Sequence, residues 1–152
     1  MQNIVRVGIG VIIIKGNEYL VGKRKGSFAS GLVSFPGGKL DFNETWEECV
    51  LREVKEECGE NLKIEINYFS ENRKEFFVTN DIMPKYGIHY ITIFMVARWV
   101  SGEPENAEPE KCEGWSWVDY ETLKELVNKD KTADWIPIDL ISSMRNQIEF
   151  TK

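Results

Sequence analysis

Hydrophobic and polar positions change their period several times along this chain, and each change marks an element. Residues 4–14 are dense in Ile and Val, and YLVGKR (19–24) resumes the apolar pattern after a Lys15-Gly16-Asn17 turn, which predicts two strands. GSFASG (26–31) reads as a loop, LVSF (32–35) as a brief strand, and Pro36-Gly37-Gly38 as a turn. Residues 62–69 and 74–79 alternate like strands. HYITIFMVARWV (89–100) is the longest β-like run and predicts a central strand. Residues 101–114 are polar and loop-like, and WSWV (115–118) is a last short strand. Helical spacing appears in YETLKELVN (120–128) and IDLISSMRNQIE (138–149). No repeat or linker interrupts the chain, so residues 1–152 are expected to form one domain. Its expected class is α/β, a sandwich built on a mixed sheet.

The best-marked helix covers about 45–58. Thr45 and Glu48 have the spacing of a capping box, and Gly59 supplies a stop. At 100° per residue, with Glu53 at zero, Glu56 falls at about −60° and Glu57 at about +40°. Trp46, Cys49, Val50 and Val54 fall between about −40° and +100°, and Leu51 and Cys58 extend the apolar arc to about 160°. Three carboxylates therefore share the face that the apolar residues turn toward the body of the protein. Clustered carboxylates that cannot all reach water repel one another unless a cation or protons intervene. Their hard oxygen donors favour magnesium or manganese over zinc. The alternative is a solvated Glu-rich helix carrying pairs such as Glu48–Arg52.

Composition narrows the picture. The chain is 42% apolar and 29% charged, as soluble globular domains are. A single histidine, His89, and no CxxC pattern argue against a Cys/His zinc site, and three cysteines suggest reduced thiols in the cytoplasm. The apolar N-terminus reads as a strand and not as a signal peptide, and no run approaches the ~20 apolar residues of a membrane span. A formal net charge of −6 argues against a nucleic-acid polymer as partner. It leaves a small anionic substrate open, because a bound cation reverses the local field.

Spacing between motifs adds the decisive signal. Gly38 is followed after five residues by Glu44, and after seven more by Arg52-Glu53-Val54-Lys55-Glu56-Glu57-Cys58-Gly59. This pattern resembles the signature of the Nudix hydrolases. A chance match at seven fixed positions is on the order of 10⁻⁸ at ordinary residue abundances. The final aliphatic slot of the signature holds Glu60, a departure that touches the helix end and not the carboxylates. GKRKGS (22–27), FPGGKLDFNETWEEC (35–49), HYIT (89–92) and EPEKCEGWSWV (108–118) extend the resemblance toward MutT-like nucleoside triphosphate diphosphatases.

The resemblance implies roles for particular residues. Glu53, Glu56 and Glu57 would hold magnesium, with the Gly37 carbonyl as a further ligand, and Glu53 would accept a proton from the attacking water. Arg52 would orient the glutamates, with a surface pair to Glu48 as the alternative. Gly38, Glu44 and Gly59 would be structural. Lys23, Arg24 and Lys39 are candidates for phosphate contacts, and Ser34, Phe35, Thr92 and Trp135 for the base pocket. MutT-like enzymes can place another glutamate near the end of the long strand. Met95-Val96-Ala97-Arg98 offers no acid there, which turns attention to Glu110 or Glu113.

Other substrates of the resembled family leave their own traces. ADP-ribose hydrolases tend to carry a proline about fifteen residues past the box, where this chain has Lys74-Glu75-Phe76. The expected reaction is thus hydrolysis of a nucleoside triphosphate, a purine or oxidised purine, to the monophosphate and pyrophosphate. CTP or dCTP, ADP-ribose, a non-nucleotide diphosphate, or a catalytically silent nucleotide-binding module are the alternatives. The resemblance also allows a homodimer.

Overall fold

A computed structural model describes residues 3–26, 29–66, 68–70, 73–74, 76–132, 136–139 and 141–142. Strand β1 (Arg6–Lys15) forms because its Ile/Val run is buried on both faces from Gly8 to Ile13. It pairs in parallel with the long strand β9 (Ile88–Ser101), from Arg6↔Tyr90 to Ile14↔Arg98. The other strand pairings of this sheet among the described residues are antiparallel, so the sheet is mixed as expected. Its order is β10 (Cys112–Asp119), β2 (Glu18–Arg24), β1, β9, β5 (Lys63–Ile66). Three shorter partners join it: β3 (Val33–Ser34) on β2, β4 (Gly37–Lys39) on β1, and β8 (Phe76–Met83) on β9. A separate two-stranded ladder joins β6 (Tyr68–Ser70) and β7 (Arg73–Lys74).

A helix covers each face. Helix α1 (Trp46–Cys58) packs Cys49, Val50, Val54 and Cys58 onto Ile9, Val11, Ile13, Leu20 and Met95. Helix α2 (Tyr120–Asn128) packs Tyr120 and Leu123 onto Ile12, Tyr19, Val21, Phe94 and Val96. The result is the α/β sandwich expected from the sequence. The capping box is complete, with the Thr45 side chain accepting from the Glu48 amide and the Glu48 side chain accepting from the Thr45 amide. At the other end of α1, the Glu105 amide reaches the Cys58 carbonyl and the Trp115 indole reaches the Glu57 carbonyl, satisfying groups a helix terminus leaves open.

Four expectations need correction. Gly37 and Gly38 belong to a strand and not to a turn, because both pair with β1 at Gly10 and Ile9. Strand β8 runs on to Met83. Strand β10 begins at Cys112, inside the expected loop, with a register shift before Trp115 that accommodates the extra residues. Leu51, at the far rim of the apolar arc, is 54% exposed, whereas Cys58 near the same rim is buried at the helix end, where the Glu105 amide meets its carbonyl. Residues 138–139 and 141–142 are helical, and the rest of the expected 138–149 helix lies outside the described residues. Cys49, Cys58 and Cys112 are free and buried. Among the described residues no helix is long and apolar enough to cross a membrane.

Candidate active site

Strand β1 changes partner along one edge, from β4 beside Gly8–Gly10 to β2 beside Ile14 and Lys15. At this seam lies a cavity of about 480 Å³. Strand alternation determines what reaches it. Gly22 and Arg24 share the parity of Leu20, which packs in the α1 layer, while Gly8, Gly10, Thr92 and Phe94 share that of Ile12, in the α2 layer. The cavity thus joins both sides of the sheet.

Its acidic side comes from α1. The Arg52 guanidinium organises it, donating to Glu44 through Nε (2.7 Å) and Nη2 (3.0 Å), and to Glu53 through Nη1 (2.8 Å). Nη1 also reaches Glu56 at 3.4 Å, and Nη2 donates to the Lys39 carbonyl at 3.0 Å. The amide of Asp41 donates to Glu44 (3.0 Å), so Glu44 ties the 39–44 loop to the helix. Arg52 therefore orients the glutamates; its expected alternative partner Glu48 is engaged in the cap instead. This two-pronged grip on Glu44 holds that carboxylate down to about 2, first through Arg52 and then through the Asp41 amide.

Glu53 is buried, Glu57 is partly buried beneath the Gly37 amide (3.2 Å), and Glu56 is half-exposed. Burial pushes the Glu57 carboxyl up to about 9, and the neighbouring Glu53 charge adds to the shift. Glu53 is also raised, by burial against the opposing pull of Arg52. Burial and mutual repulsion thus act against both carboxyls being ionised at once. Among the described residues, no three His, Cys, Asp or Glu side chains stand grouped as a ready-made metal site. Glu53 and Glu56 lean on Arg52, and Glu57 on Gly37. The donor chemistry nevertheless fits a divalent cation: hard oxygens on adjacent turns, with a buried pair that cannot ionise together unless positive charge replaces the proton.

Gly38 is what lets β4 approach this pair. A Cβ on Gly38 would fall on the Glu53 carboxylate, and one on Gly37 would strike the Ile9 carbonyl. Gly38→Ala is accordingly expected to displace Glu53 and lower kcat about 100-fold, the effect of misplacing a reacting group by roughly 1 Å. A kinetic assay beside a thermal melt checks this, and near-normal kcat in a folded Gly38→Ala protein would refute it.

Of the expected substrate contacts, Arg24, Ser34, Phe35, Lys39 and Thr92 line the cavity with Gly37. Lys23 does not. It projects from the other face of β2 and lies 3.5 Å from Glu113, while Lys25 and Lys111 supply cationic lining that the sequence reading missed. Glu110 and Glu113 also stay outside, and the acid that lines the cavity from the 101–111 loop is Glu108, 3.2 Å from Lys111. Trp135 lies outside the described residues. On the α2 side the lining includes Asp81, Met83 and Tyr90, none of them singled out from the sequence. Only HYIT hinted at this wall, through Tyr90. Phe35 meets Phe94 edge to face at 6.4 Å, and the Phe94 ring occupies the space a Cβ on Gly10 would need.

Comparison with known proteins gives concordant results. A family model described as NUDIX domain matches residues 5–138. The chain is 31% identical over 116 residues to the 8-oxo-dGTP diphosphatase of Escherichia coli (strain K12), covering 74% of this chain and 81% of that one. It is 29% identical to the RNA pyrophosphohydrolase of Hydrogenovibrio crunogenus, covering 94% and 82% respectively. Among solved structures, the MutT NUDIX hydrolase from Burkholderia pseudomallei superposes with a TM-score of 0.65 at 32% identity, over 78% of this chain and 85% of the other.

Proposed function

This chain belongs to the NUDIX family and is MutT-like, and on that premise we propose that it hydrolyses a nucleoside triphosphate, a purine or oxidised purine, to the monophosphate and pyrophosphate. The observation that carries the reading is the joining, in one cavity, of the Arg52-held carboxylates with Arg24, Lys25, Lys111 and an apolar wall.

Attack of water on a polyphosphate is chiefly a matter of positioning and charge neutralisation. Glu53, Glu56 and Glu57 are the residues to hold magnesium, with manganese as the substitute. The ion supplies neutralisation of phosphate charge and a more acidic water. Arg52 fixes the direction of Glu53 through its 2.8 Å contact, leaving that carboxylate to accept the proton of the attacking water. Arg24 and Lys39 meet the phosphates, together with Lys25 and Lys111. Phe35 and Phe94 provide the apolar surface for the base.

The test is pyrophosphate release from canonical and oxidised nucleoside triphosphates, with ADP-ribose and 5′-triphosphorylated RNA alongside, with and without magnesium. We expect magnesium-dependent turnover of at least one nucleoside triphosphate at a kcat/KM of roughly 10⁴ M⁻¹s⁻¹ or better. Folded protein that is silent on every triphosphate would overturn the reading.

A further inference from the structure

Resting on that reading, we propose that Asp81 selects the base, favouring one that offers two adjacent N–H donors, the pattern of a 2-amino-6-oxopurine. The placement comes from β8. Its residues 77, 79 and 81 turn toward the α2 side of the sheet, where Phe77 packs against the α2 core. This brings Thr79 and Asp81 beside Thr92 and Tyr90 of β9. The Asp81 carboxylate accepts two hydroxyls on a single oxygen: Thr79 Oγ1 lies 3.0 Å and Thr92 Oγ1 2.5 Å from Oδ2. Among the described residues no donor reaches Oδ1. The carboxylate is thereby fixed in orientation, and one oxygen remains for a donor within the cavity that Asp81 lines.

Location fits a base-reading role. Strands β8, β9, β1 and β4 are consecutive neighbours, which puts Asp81 three strand spacings, about 14 Å, from the strand that touches Glu53. A nucleotide with its phosphates at the carboxylate end would therefore extend its base toward Asp81. Between them Gly8 and Gly10 carry no side chain, and the Tyr90 and Phe94 rings lie over them as an apolar floor.

Charge then decides which base is accepted. A carboxylate accepts and never donates when ionised. A guanine-type edge presents a ring N–H beside an exocyclic amine and satisfies it. Uracil and thymine flank their single N–H with carbonyls, while adenine and cytosine place an acceptor nitrogen beside their amine. Each of those edges sets a lone pair against the carboxylate. Asp81 is partly buried, so a partner that cannot donate leaves its free oxygen unpaired within the cavity.

The test compares dGTP with dITP, which lacks only the exocyclic amine, in wild-type protein and in Asp81→Asn. Asn is suited to the purpose: its carbonyl can keep both threonine hydroxyls while its amide turns the free acceptor into a donor. Wild-type kcat/KM for dGTP should exceed that for dITP by about 10- to 100-fold, the effect of one hydrogen bond to a charged acceptor. In Asp81→Asn the ratio should fall to within about threefold of unity, with the loss mostly in KM and with an unchanged melting temperature. A parallel measurement of protection from thermal unfolding by dGMP and dIMP separates the two readings. If nucleotide protection depends on Asp81 but no triphosphate is hydrolysed, base selection stands and the proposed reaction fails. If triphosphates are hydrolysed and the dGTP/dITP ratio ignores the substitution, Asp81 is a structural residue and this proposal is wrong. Absence of both turnover and protection would overturn both.

Discussion

Replacing Glu53 with glutamine should lower kcat about 1,000-fold or more while the melting temperature stays the same or rises. The variant keeps the shape of the side chain and an oxygen for Arg52 Nη1, now 2.8 Å from Oε1. It removes the negative charge that would hold the cation and the basic oxygen that would accept the proton, and either loss is worth 10²–10⁴-fold. Folding should not suffer, because burial raises both the Glu53 and Glu57 carboxyls and the Glu53 charge raises Glu57 further. Neutralising one member of such a pair relieves repulsion, as often happens when an active site trades stability for function. Pyrophosphate release and a circular-dichroism melt on the same preparation decide it. Turnover above a tenth of wild type would remove Glu53 from the chemistry.

The second large effect concerns stability and pH in the absence of metal. Glu57 titrates near 9 in the folded protein and near 4.5 when unfolded. Between those values the folded state retains a proton that the unfolded chain has released, so stability declines as pH rises. Glu53, also raised, contributes with the same sign. Glu44 acts oppositely, since its carboxyl is held down to about 2 and its stabilising contribution is lost as pH falls from about 4.5. Chelated protein should thus melt highest near pH 5 and lose about 5–10 °C by pH 9, allowing a few kcal/mol for the buried proton. Magnesium held by this pair would replace that proton and should flatten the decline, so its stabilising effect should be larger at pH 9 than at pH 5. Melting curves in chelator and in magnesium at both pH values measure this directly. A flat chelated profile would mean that the Glu53–Glu57 pair carries no trapped proton.

The parts of the structure legible in sequence were those with local causes. Thr45 and Glu48 cap α1 through contacts three residues apart, and the 3.6-residue period placed Glu53, Val50 and Val54 on one buried side. The Arg52–Glu44 pairing was not foreseen; the only named partner for a local pair was Glu48 at i−4, and the choice of Glu44 is made by the 39–44 loop folding back. Where several strands had to meet, sequence was weaker. Lys23, Arg24 and Lys25 look alike as a basic run, and only the pairing of β2 with β3 and β10 turns Lys23 away and brings its neighbours to the cavity. Glu108 displaced Glu110 and Glu113 because the 101–111 loop docks onto the end of α1 through Glu105 and Ala107. Asp81 was invisible because the alternation of β8 fades after Thr79, and its significance depends on Thr92 in another strand.

The partner exchange along β1 separates two kinds of change. The carboxylates proposed to perform the reaction hang from α1 on one side of the sheet, while Asp81, Thr92 and Tyr90 lie across it on β8 and β9. These two groups meet only at the seam and share none of the Arg52 hydrogen bonds. Substitutions on the far wall can therefore retune which molecule is admitted without disturbing how the bond is cut. A library confined to β8 and the first residues of β9 should yield altered preferences at little loss of rate, whereas an equal number of changes around α1 should yield mostly dead protein.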